Sequence, residues 1–230
     1  GPEISFNNLL DFDAALNLLS NFITPTVAIM KHTNSCGLSC HENLAEAYRR
    51  ALSGDPLAAF GGVVATNQTL DLSTAREIDK THYDAIIAPE YGKEALGLLS
   101  RKKSLRLVKI PMQSRDFPLL DFRYVRGGFL VQTKDSIAES EFQPKTVANR
   151  RPTEAELSDL LFAWKAVKCI KSNAIVIAKG KTLLGMGTGQ PSRVVSVELA
   201  LKRAGDEAQG SVLASDAFFP FTDGPELAIK

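Results

Sequence analysis

The 230-residue chain is 44% hydrophobic and 23% charged, with 27 lysines and arginines against 26 aspartates and glutamates. This composition excludes a disordered, collagen-like or low-complexity chain, and it allows a sizeable core in one large domain or two small ones. The net charge of +1 argues against non-specific nucleic-acid binding, which needs a basic excess.

The cysteine content and the hydropathy indicate the cellular compartment of the protein. Cys36, Cys40 and Cys169 are too few, and odd in number, for a disulfide framework. Free thiols in a chain of this size indicate a reducing compartment. The apolar runs are far shorter than the roughly 20 residues that cross a bilayer, and no secretory signal opens the chain. We therefore expect a cytoplasmic protein that acts without a membrane or nucleic-acid partner.

Apolar runs of strand length alternate with amphipathic segments along the chain. Apolar residues at 44, 47, 48, 51 and 52 share one helical face, and Thr153 with Glu156 forms a capping box that predicts a helix start. Strands are predicted at 25–30, 60–66, 84–88, 105–110, 174–178, 182–186 and 211–214, and helices at 42–52, 71–80, 92–100, 192–203 and after Thr153. The less regular segment 111–150 is predicted to hold a strand pair around Gly127.

This alternation is typical of a layered α/β fold, in which helices flank sheets. The order strand, loop, helix and strand over 26–66 resembles the order over 174–214, and each region ends near an aromatic-rich loop. The repeat predicts two related α/β subdomains. The first covers 1–150 with a connecting segment, and the second covers 151–230.

The segment Lys31-His32-Thr33-Asn34-Ser35-Cys36-Gly37 follows a predicted strand, where α/β sheets place ligands. A histidine can accept a proton at neutral pH, and a neighbouring lysine can stabilise developing negative charge. Adjacent residues of an extended chain point in opposite directions, so both can act at one site only if the chain turns here. Asn34 and Gly37 favour such a turn. A solvated loop without chemistry is the alternative.

The same region allows two further interpretations. His32, Cys36, Cys40 and His41 are zinc-ligand types, but their spacing is not that of a standard structural site, and adjacent residues rarely bind one ion. Cys36 could instead be a nucleophile with His32 as its base. A small buried thiol is the commoner role of such a cysteine.

The segment Gly185-Met186-Gly187-Thr188-Gly189-Gln190 precedes a predicted helix, and its glycines would let backbone N–H groups approach an anion. It matches neither the dinucleotide fingerprint nor a P-loop. Arg193 falls in the first turn of that helix, where its charge opposes the helix dipole. A bound anion or substrate would compensate, and a surface arginine is the alternative.

Two further segments are candidates for ligand binding. The loop 215–224 contains Phe218, Phe219 and Phe221 around Pro220, beside Asp216 and Asp223. Aromatic walls suit a flat heterocycle, although three phenylalanines also suit a core. Lys171-Ser172-Asn173 offers an amide at a strand entry, with a helix C-cap as the alternative.

Five segments in this order resemble the formyltransferase domain of the AICAR transformylase/IMP cyclohydrolase family, and together they span nearly the whole chain. They are 4–11 (Ile-Ser-Phe-Asn-Asn-Leu-Leu-Asp), 31–37, 55–62, 171–175 with 185–193, and 214–221. The resemblance implies transfer of a formyl group from the co-substrate 10-formyltetrahydrofolate to the 5-amino group of aminoimidazole carboxamide ribonucleotide (AICAR), a step of purine (IMP) biosynthesis. It also implies two cytidine-deaminase-like subdomains without the deaminase zinc, no metal in the chemistry, and a homodimer.

The resemblance also implies roles for individual residues. Lys31 and His32 match the catalytic pair, with His32 as the base and Lys31 stabilising the oxyanion. The matching substrate contacts are Asn173, Arg193, Asp84, Phe60, Gly61, Phe218, Pro220 and Phe221. Asp223, in the same loop as the phenylalanines, completes the candidate substrate-binding set.

This chain departs from the family pattern in two respects. Ser35 stands where the family has a proline. The family's R-Y-G-x-N-P-H-Q segment, whose arginine holds the phosphate, and its C-terminal run have no counterpart among the 230 residues. We therefore expect an internal portion of a longer protein, incomplete at the C-terminus of the second subdomain and without cyclohydrolase activity. A non-catalytic nucleotide-binding module, a zinc deaminase-like enzyme and an interaction domain are the alternatives.

Overall fold

A computed structural model describes residues 2–111, 120–135 and 142–230. The chain forms two compact units, Gly1–Met112 with Thr153–Lys230, and Gln113–Pro152. The helices are α1 (Phe6–Leu19), α2 (Leu44–Gly54), α3 (Pro56–Ala59), α4 (Leu72–Asp79), α5 (Lys93–Leu99), α6 (Glu154–Val167), α7 (Arg193–Ala204) and α8 (Asp223–Ile229). The strands are β1 (Thr26–Lys31), β2 (Asn34–Cys40), β3 (Val63–Thr66), β4 (Ala85–Ala88), β5 (Arg106–Lys109), β6 (Leu120–Val125), β7 (Gly128–Thr133), β8 (Ile175–Lys179), β9 (Thr182–Gly187) and β10 (Val212–Ser215).

Most of the predicted elements are confirmed. The capping box of α6 forms as expected, with the Thr153 hydroxyl accepting from the Glu156 N–H at 3.2 Å and the Glu156 carboxylate accepting from the Thr153 N–H at 2.7 Å. The strand pair predicted around Gly127 is the hairpin of β6 and β7. Other parts of the irregular segment, 112–119 and 136–141, lie outside the described residues.

Eight strands of the larger unit form one mixed sheet in the order β10-β8-β9-β2-β1-β3-β4-β5. The pairs β3–β4 and β4–β5 are parallel and the other pairs are antiparallel. The layered α/β prediction is therefore confirmed as one eight-stranded mixed sheet with helices on both faces.

Successive side chains of the central strands point to opposite faces of the sheet and enter different clusters. In β1, Ala28 and Met30 pack with α1 and α6, whereas Val27 and Ile29 pack with α2, α4 and α5. On the second face, α7 and α8 cover β8 through a separate cluster that includes Val197 and Ala200. Because both faces of the central strands are covered, nearly all side chains of these strands are buried.

The sheet contains a repeat. In the first half the hairpin β1–β2 is followed by α2 and then by β3, which returns antiparallel to β1. In the second half the hairpin β8–β9 is followed by α7 and then by β10, which returns antiparallel to β8. The halves join where β2 pairs antiparallel with β9 at Ser39 and Thr182. The division at residue 150 into two subdomains stays a prediction.

The hairpin of β6 and β7, in the smaller unit, has one apolar face. Cross-strand partners place five large side chains on this face, and each is exposed: Leu120, Phe122, Tyr124, Phe129 and Val131. Contiguous exposed apolar surface of this kind is typical of an interaction surface. Among the described residues, no helix is long and apolar enough to span a membrane.

Candidate functional site

The candidate residues lie at one end of the strands of the large sheet, which we call the site end. Met30, near the end of β1, pairs with Val63 at the start of β3, and β4 begins beside β3. Ser215, at the end of β10, pairs with Ile175 at the start of β8. The site end therefore carries the turn after β1, the entries to β3, β4 and β8, and the segments that follow β9 and β10.

Lys31 and His32 lie where β1 turns into β2. The turn has only two residues, His32 and Thr33, with φ angles of 53° and 63°. Two-residue hairpin turns of this left-handed type normally use Asn-Gly or Asp-Gly. Any other L-amino acid in this conformation raises the conformational free energy by roughly 1–2 kcal/mol. The turn predicted after Lys31 is thus confirmed. The loop expected to follow this turn is wrong, because Asn34–Cys40 forms strand β2.

Three side chains hold this turn. The Asp11 carboxylate, from α1, accepts a hydrogen bond from the Thr33 N–H at 2.6 Å. The Asn34 amide donates to the His32 carbonyl at 3.1 Å. The Thr188 hydroxyl, from the loop between β9 and α7, lies 3.2 Å from the Asn34 amide oxygen and can donate to it. The turn is therefore held from both halves of the sheet.

Lys31 contacts the next candidate segment directly. Its ammonium group donates to the Phe60 carbonyl at 2.6 Å. The Phe60 side chain is exposed and stacks at a tilt on His82, with ring centroids 5.2 Å apart. Gly61 adopts φ +70°, and a Cβ there would meet no atom within 4 Å, so the surface beside Phe60 is open. Half-buried Asp84 lies at the entry to β4, two residues after His82.

Asn173 and Arg193 form a second cluster, together with Ser215 and Asp216. Arg193 is buried and donates to the Asn173 amide oxygen at 2.8 Å, to the Ser215 hydroxyl at 2.8 Å and to the Asp216 carboxylate at 2.5 Å. Asp216 offsets the unfavourable charge of Arg193 at the start of α7. Arg193 is therefore not a free surface arginine, and Asn173 is not a helix C-cap, since α6 ends at Val167.

The hydrogen bonds of Asn173 limit what it can offer a ligand. An asparagine amide has two N–H donors, and here they go to the carbonyls of Gln190 at 2.8 Å and Pro191 at 3.0 Å. The amide oxygen, which already accepts from Arg193, keeps a second lone pair. A ligand N–H can therefore bind the Asn173 oxygen without breaking the cluster.

The protonation of Asp216 follows from the same contacts. Burial alone would raise the pKa of Asp216, but hydrogen bonds from Ser172 and Arg193 outweigh burial and hold this pKa below its ordinary value. The carboxylate therefore stays ionised and keeps Arg193 in place.

The aromatic loop after β10 is divided between the core and the surface. Phe219 packs against the cluster beneath α7 and α8, whereas Phe218 is 82% exposed and Phe221 is 73% exposed. Pro220 and Asp223 are also exposed. Two of the three phenylalanines are therefore available as a wall.

The glycines at 185 and 187 have a packing role. Both lie inside β9, and a Cβ at Gly187 would stand 1.9 Å from the Ser196 carbonyl oxygen of α7. A Cβ at Gly185 would stand 2.2 Å from the Ala200 carbonyl oxygen. These glycines let α7 lie directly on β9, so they do not form the expected anion-binding loop.

The positions of the cysteines oppose the zinc interpretation. The register of β1 and β2 shifts between Ile29 and Met30, opposite Cys36, as in a β-bulge. As a result Cys36 packs in the cluster beneath α2, whereas Cys40 packs in the cluster on the other face. Within the described ranges, no three His, Cys, Asp or Glu side chains are grouped so that they could hold a metal ion.

The candidate residues form two groups along the site end. Lys31, His32, Phe60, Gly61 and Asp84 make up the turn group, around β1, β3 and β4. Asn173, Arg193, Phe218, Pro220, Phe221 and Asp223 make up the arginine group, around β8 and β10 and in the segment that follows. Three strand spacings separate β1 from β8, which is roughly 14 Å. The two groups are therefore carried by separate parts of the site end.

Sequence reasoning missed several residues of these groups. Asp11 and His82 were in none of the candidate ligand-binding segments. Asn34, Thr188, Ser215 and Asp216 lay in such segments but were not selected as site residues. Asp11 and Asp216 do lie in segments that carry the family resemblance, which was the available signal. Their partners stand 22 and 23 residues away in the chain, beyond the reach of local patterns.

Fold and site together define a mixed α/β protein that presents a basic turn and an arginine–amide cluster at one end of its sheet. Residues 1–203 match the family model described as "AICARFT/IMPCHase bienzyme", and the chain belongs to this family. It is similar to the bifunctional purine biosynthesis protein PurH of Caldicellulosiruptor saccharolyticus, 47% identical over 100% of this chain and 45% of the relative. The protein of the same name from Dictyostelium discoideum is 46% identical over 99% of this chain and 44% of the relative. The chain thus spans somewhat less than half the length of these relatives.

Proposed function

We propose that this domain transfers a formyl group from 10-formyltetrahydrofolate to the 5-amino group of AICAR in purine biosynthesis. The observation that carries the proposal is the left-handed turn at the site end, where His32 follows Lys31 and the Lys31 ammonium group contacts the Phe60 carbonyl. Family membership supports the assignment, since the family model names a transformylase and a cyclohydrolase. The five segments that resemble the family belong to the transformylase part.

In the proposed reaction the AICAR amine attacks the formyl carbon of the folate. This amine is conjugated with a ring that bears a carboxamide, so it is a weak nucleophile and must lose a proton as it attacks. His32 accepts that proton, and Lys31 stabilises the oxyanion on the former carbonyl oxygen. The carbon–nitrogen bond to the folate then breaks, and the folate nitrogen takes up a proton to give tetrahydrofolate. Side chains supply the proton transfer and the charge stabilisation, so the proposed chemistry requires no metal.

The remaining candidates are proposed as substrate contacts. The free lone pair of the Asn173 oxygen suits an N–H of the AICAR ring substituents, and Arg193 holds that oxygen in place. The exposed rings of Phe218 and Phe221, with Pro220, suit the flat face of a heterocycle. Phe60 and Gly61 suit the folate, while Asp84 and Asp223 suit polar substrate groups. The repeated helical and strand order of the two halves supports two cytidine-deaminase-like subdomains, and the free thiols support a cytoplasmic setting.

The proposed function is tested with the purified chain, 10-formyltetrahydrofolate and AICAR, by following the release of tetrahydrofolate. Release that requires both substrates and His32 is the expected result. A folded chain that binds AICAR without transfer would favour a nucleotide-binding module. Stoichiometric zinc with deamination would favour a deaminase, and binding of neither substrate would favour an interaction domain.

A homodimer would bring a turn group and an arginine group together in one site. Because three strand spacings separate β1 from β8, we propose that the turn group of one protomer faces the arginine group of its partner. The apolar face of the β6–β7 hairpin supports association with a second copy, because a face without charged side chains is complementary to itself.

Mixing two inactive variants tests this arrangement. His32→Ala and Asn173→Ala chains are each expected to be inactive alone, because each breaks both sites of its dimer. After the two variants are mixed and allowed to exchange subunits, half of the dimers carry one site with both residues intact, so about a quarter of wild-type transfer returns. A mixture that stays inactive after subunit exchange, shown by differently tagged chains, would place both groups in one protomer's site.

Cys36 is not expected to be the nucleophile. It is 7% exposed, and burial, with the nearby negative charge of Asp55, raises the pKa of its thiol to about 12. Cys36→Ala should therefore keep wild-type transfer within a few-fold and lose about 1 kcal/mol of unfolding free energy, because a buried group is removed. Transfer assays and thermal unfolding measure the two effects. Loss of transfer with unchanged stability would restore the thiolate mechanism.

A further inference from the structure

The His32–Thr33 turn requires support from outside itself. Both residues adopt the left-handed conformation, which a β-branched residue such as Thr33 rarely takes. Backbone conformations of this kind persist only when the surrounding structure imposes them, and they concentrate at functional sites. What holds the turn therefore determines where the His32 side chain lies.

Asp11 provides the first support. Its carboxylate accepts the Thr33 N–H at 2.6 Å, a charge-assisted hydrogen bond to the backbone next to His32. Asp11 is half-buried on α1, whereas its neighbour Phe12 is the residue that packs in the core. The Asp11 side chain thus acts on the turn without being part of the core.

Thr188 provides the second support. Its hydroxyl lies 3.2 Å from the Asn34 amide oxygen and 3.2 Å from the Lys171 carbonyl, and it can donate to either. The Asn34 amide donates in turn to the His32 carbonyl. Thr188 therefore connects the His32 backbone to the loop that leads into Arg193.

We propose that Asp11 and Thr188 are positioning residues that hold the His32–Thr33 turn in the conformation needed for transfer, an inference that rests on the proposed function. Neither residue is assigned contact with a substrate. Both act on the peptide bond between His32 and Thr33, Asp11 directly and Thr188 through Asn34. Their loss should therefore slow the chemical step and leave substrate binding largely intact.

Asp11→Ala is expected to lower kcat by roughly 10–100-fold with KM for both substrates within about three-fold, because small displacements of a catalytic group cost rate rather than affinity. Asp11→Asn keeps an oxygen that can accept the Thr33 N–H and should retain kcat within about five-fold. Asp13→Ala is the matched control, because Asp13 lies on the same helix and accepts a hydrogen bond from Asn17 of that helix. It should leave kcat unchanged.

Thr188→Val removes the hydroxyl but keeps the shape, and Thr188→Ser keeps the hydroxyl. We expect kcat to fall by roughly 3–10-fold in the valine variant, less than for Asp11→Ala, because Asn34 still bonds the His32 carbonyl. The serine variant should restore kcat to near the wild-type value. Equal losses in both variants would show that the hydroxyl has no positioning role.

Amide hydrogen exchange of Thr33, followed by NMR, tests the support independently of activity. Exchange at Thr33 should accelerate about ten-fold or more in Asp11→Ala and little in Asp11→Asn or Asp13→Ala, while the core strands keep their protection. An active Asp11→Ala chain with unchanged kcat, or unchanged exchange at Thr33, would overturn this inference and leave the proposed function standing. A wild-type chain without transfer would overturn the proposed function itself, and the exchange experiment would still report on the support.

Discussion

His32→Ala is expected to abolish measurable formyl transfer while leaving the fold intact. Loss of a general base lowers the rate by about 10²–10⁴-fold. The proposed mechanism gives no other residue the role of the base. The unfolding free energy should change by less than about 0.5 kcal/mol, because His32 lies exposed in a turn. Tetrahydrofolate release and denaturant unfolding, measured on the same preparation, check both parts.

His41→Ala is the matched control for that experiment. His41 follows β2 at the end of the sheet opposite the site, where its N–H donates to the Pro25 carbonyl at 3.0 Å. Its replacement should leave transfer unchanged. Full residual transfer in His32→Ala would refute the assignment of the base, and an unfolded His32→Ala chain would show that the turn is structural.

Arg193→Ala is expected to abolish transfer and also to destabilise the fold. The variant leaves the Asp216 carboxylate without its cation and removes the donor to the Asn173 oxygen. Breaking a buried pair by removing one partner costs about 3–5 kcal/mol. Since the Asp216 side chain remains 17% exposed and can take up water, we expect the lower end of this range. Urea unfolding at neutral pH measures the loss.

Two control variants separate the loss of the Arg193 charge from the loss of its planar donors, and the loss of a buried arginine from that of an exposed one. Arg193→Lys keeps the charge but not the planar set of donors, so it should recover part of the stability and little of the transfer. Arg49→Ala removes an exposed arginine paired with Glu46 on α2 and should cost less than about 1 kcal/mol. A loss in Arg193→Ala no larger than that in Arg49→Ala would contradict the structural role of the cluster.

The pH dependence of the Arg193→Ala effect has a defined sign. The pKa of Asp216 is lower in the folded chain than in the unfolded chain, because its hydrogen bonds outweigh its burial. The ionised carboxylate therefore stabilises the fold above the ordinary aspartate pKa of about 3.9, and this contribution disappears as the pH falls through the lower folded value. The stability difference between wild type and Arg193→Ala should accordingly narrow below about pH 4.

Elements with strong local signals were predicted correctly. The capping box of Thr153 and Glu156 places the start of α6, and the apolar period of 42–52 predicts α2. By contrast α1 was not predicted, although Ser5 and Asn8 form a capping box ahead of its buried positions. Strand β2 was not predicted because Asn-Ser-Cys-Gly-Leu-Ser-Cys has low strand propensity. It is a strand because β1 and β9 pair with it on either side.

The candidate site was likewise only partly predictable from the sequence. The residue types of the proposed catalytic turn, Lys31 and His32, and the family resemblance were readable from the sequence. The support from Asp11 and the cluster of Arg193 with Asn173 and Asp216 were not, since these contacts join residues 20 to 23 positions apart. The sequence also left open whether Phe218 and Phe221 lie in the core. In the structure Phe219 packs against α7 and α8, whereas Phe218 and Phe221 are exposed.

By itself the sequence determined the alternation of strands and helices, because capping and hydrophobic periodicity act over a few residues. It also determined the family and the identity of the candidate residues. Only the tertiary structure decided that Cys36 and Cys40 face opposite sides of one sheet, and that the turn group and the arginine group stand apart. These relations depend on strand order, register and a β-bulge, which are set by long-range pairing rather than by local propensity.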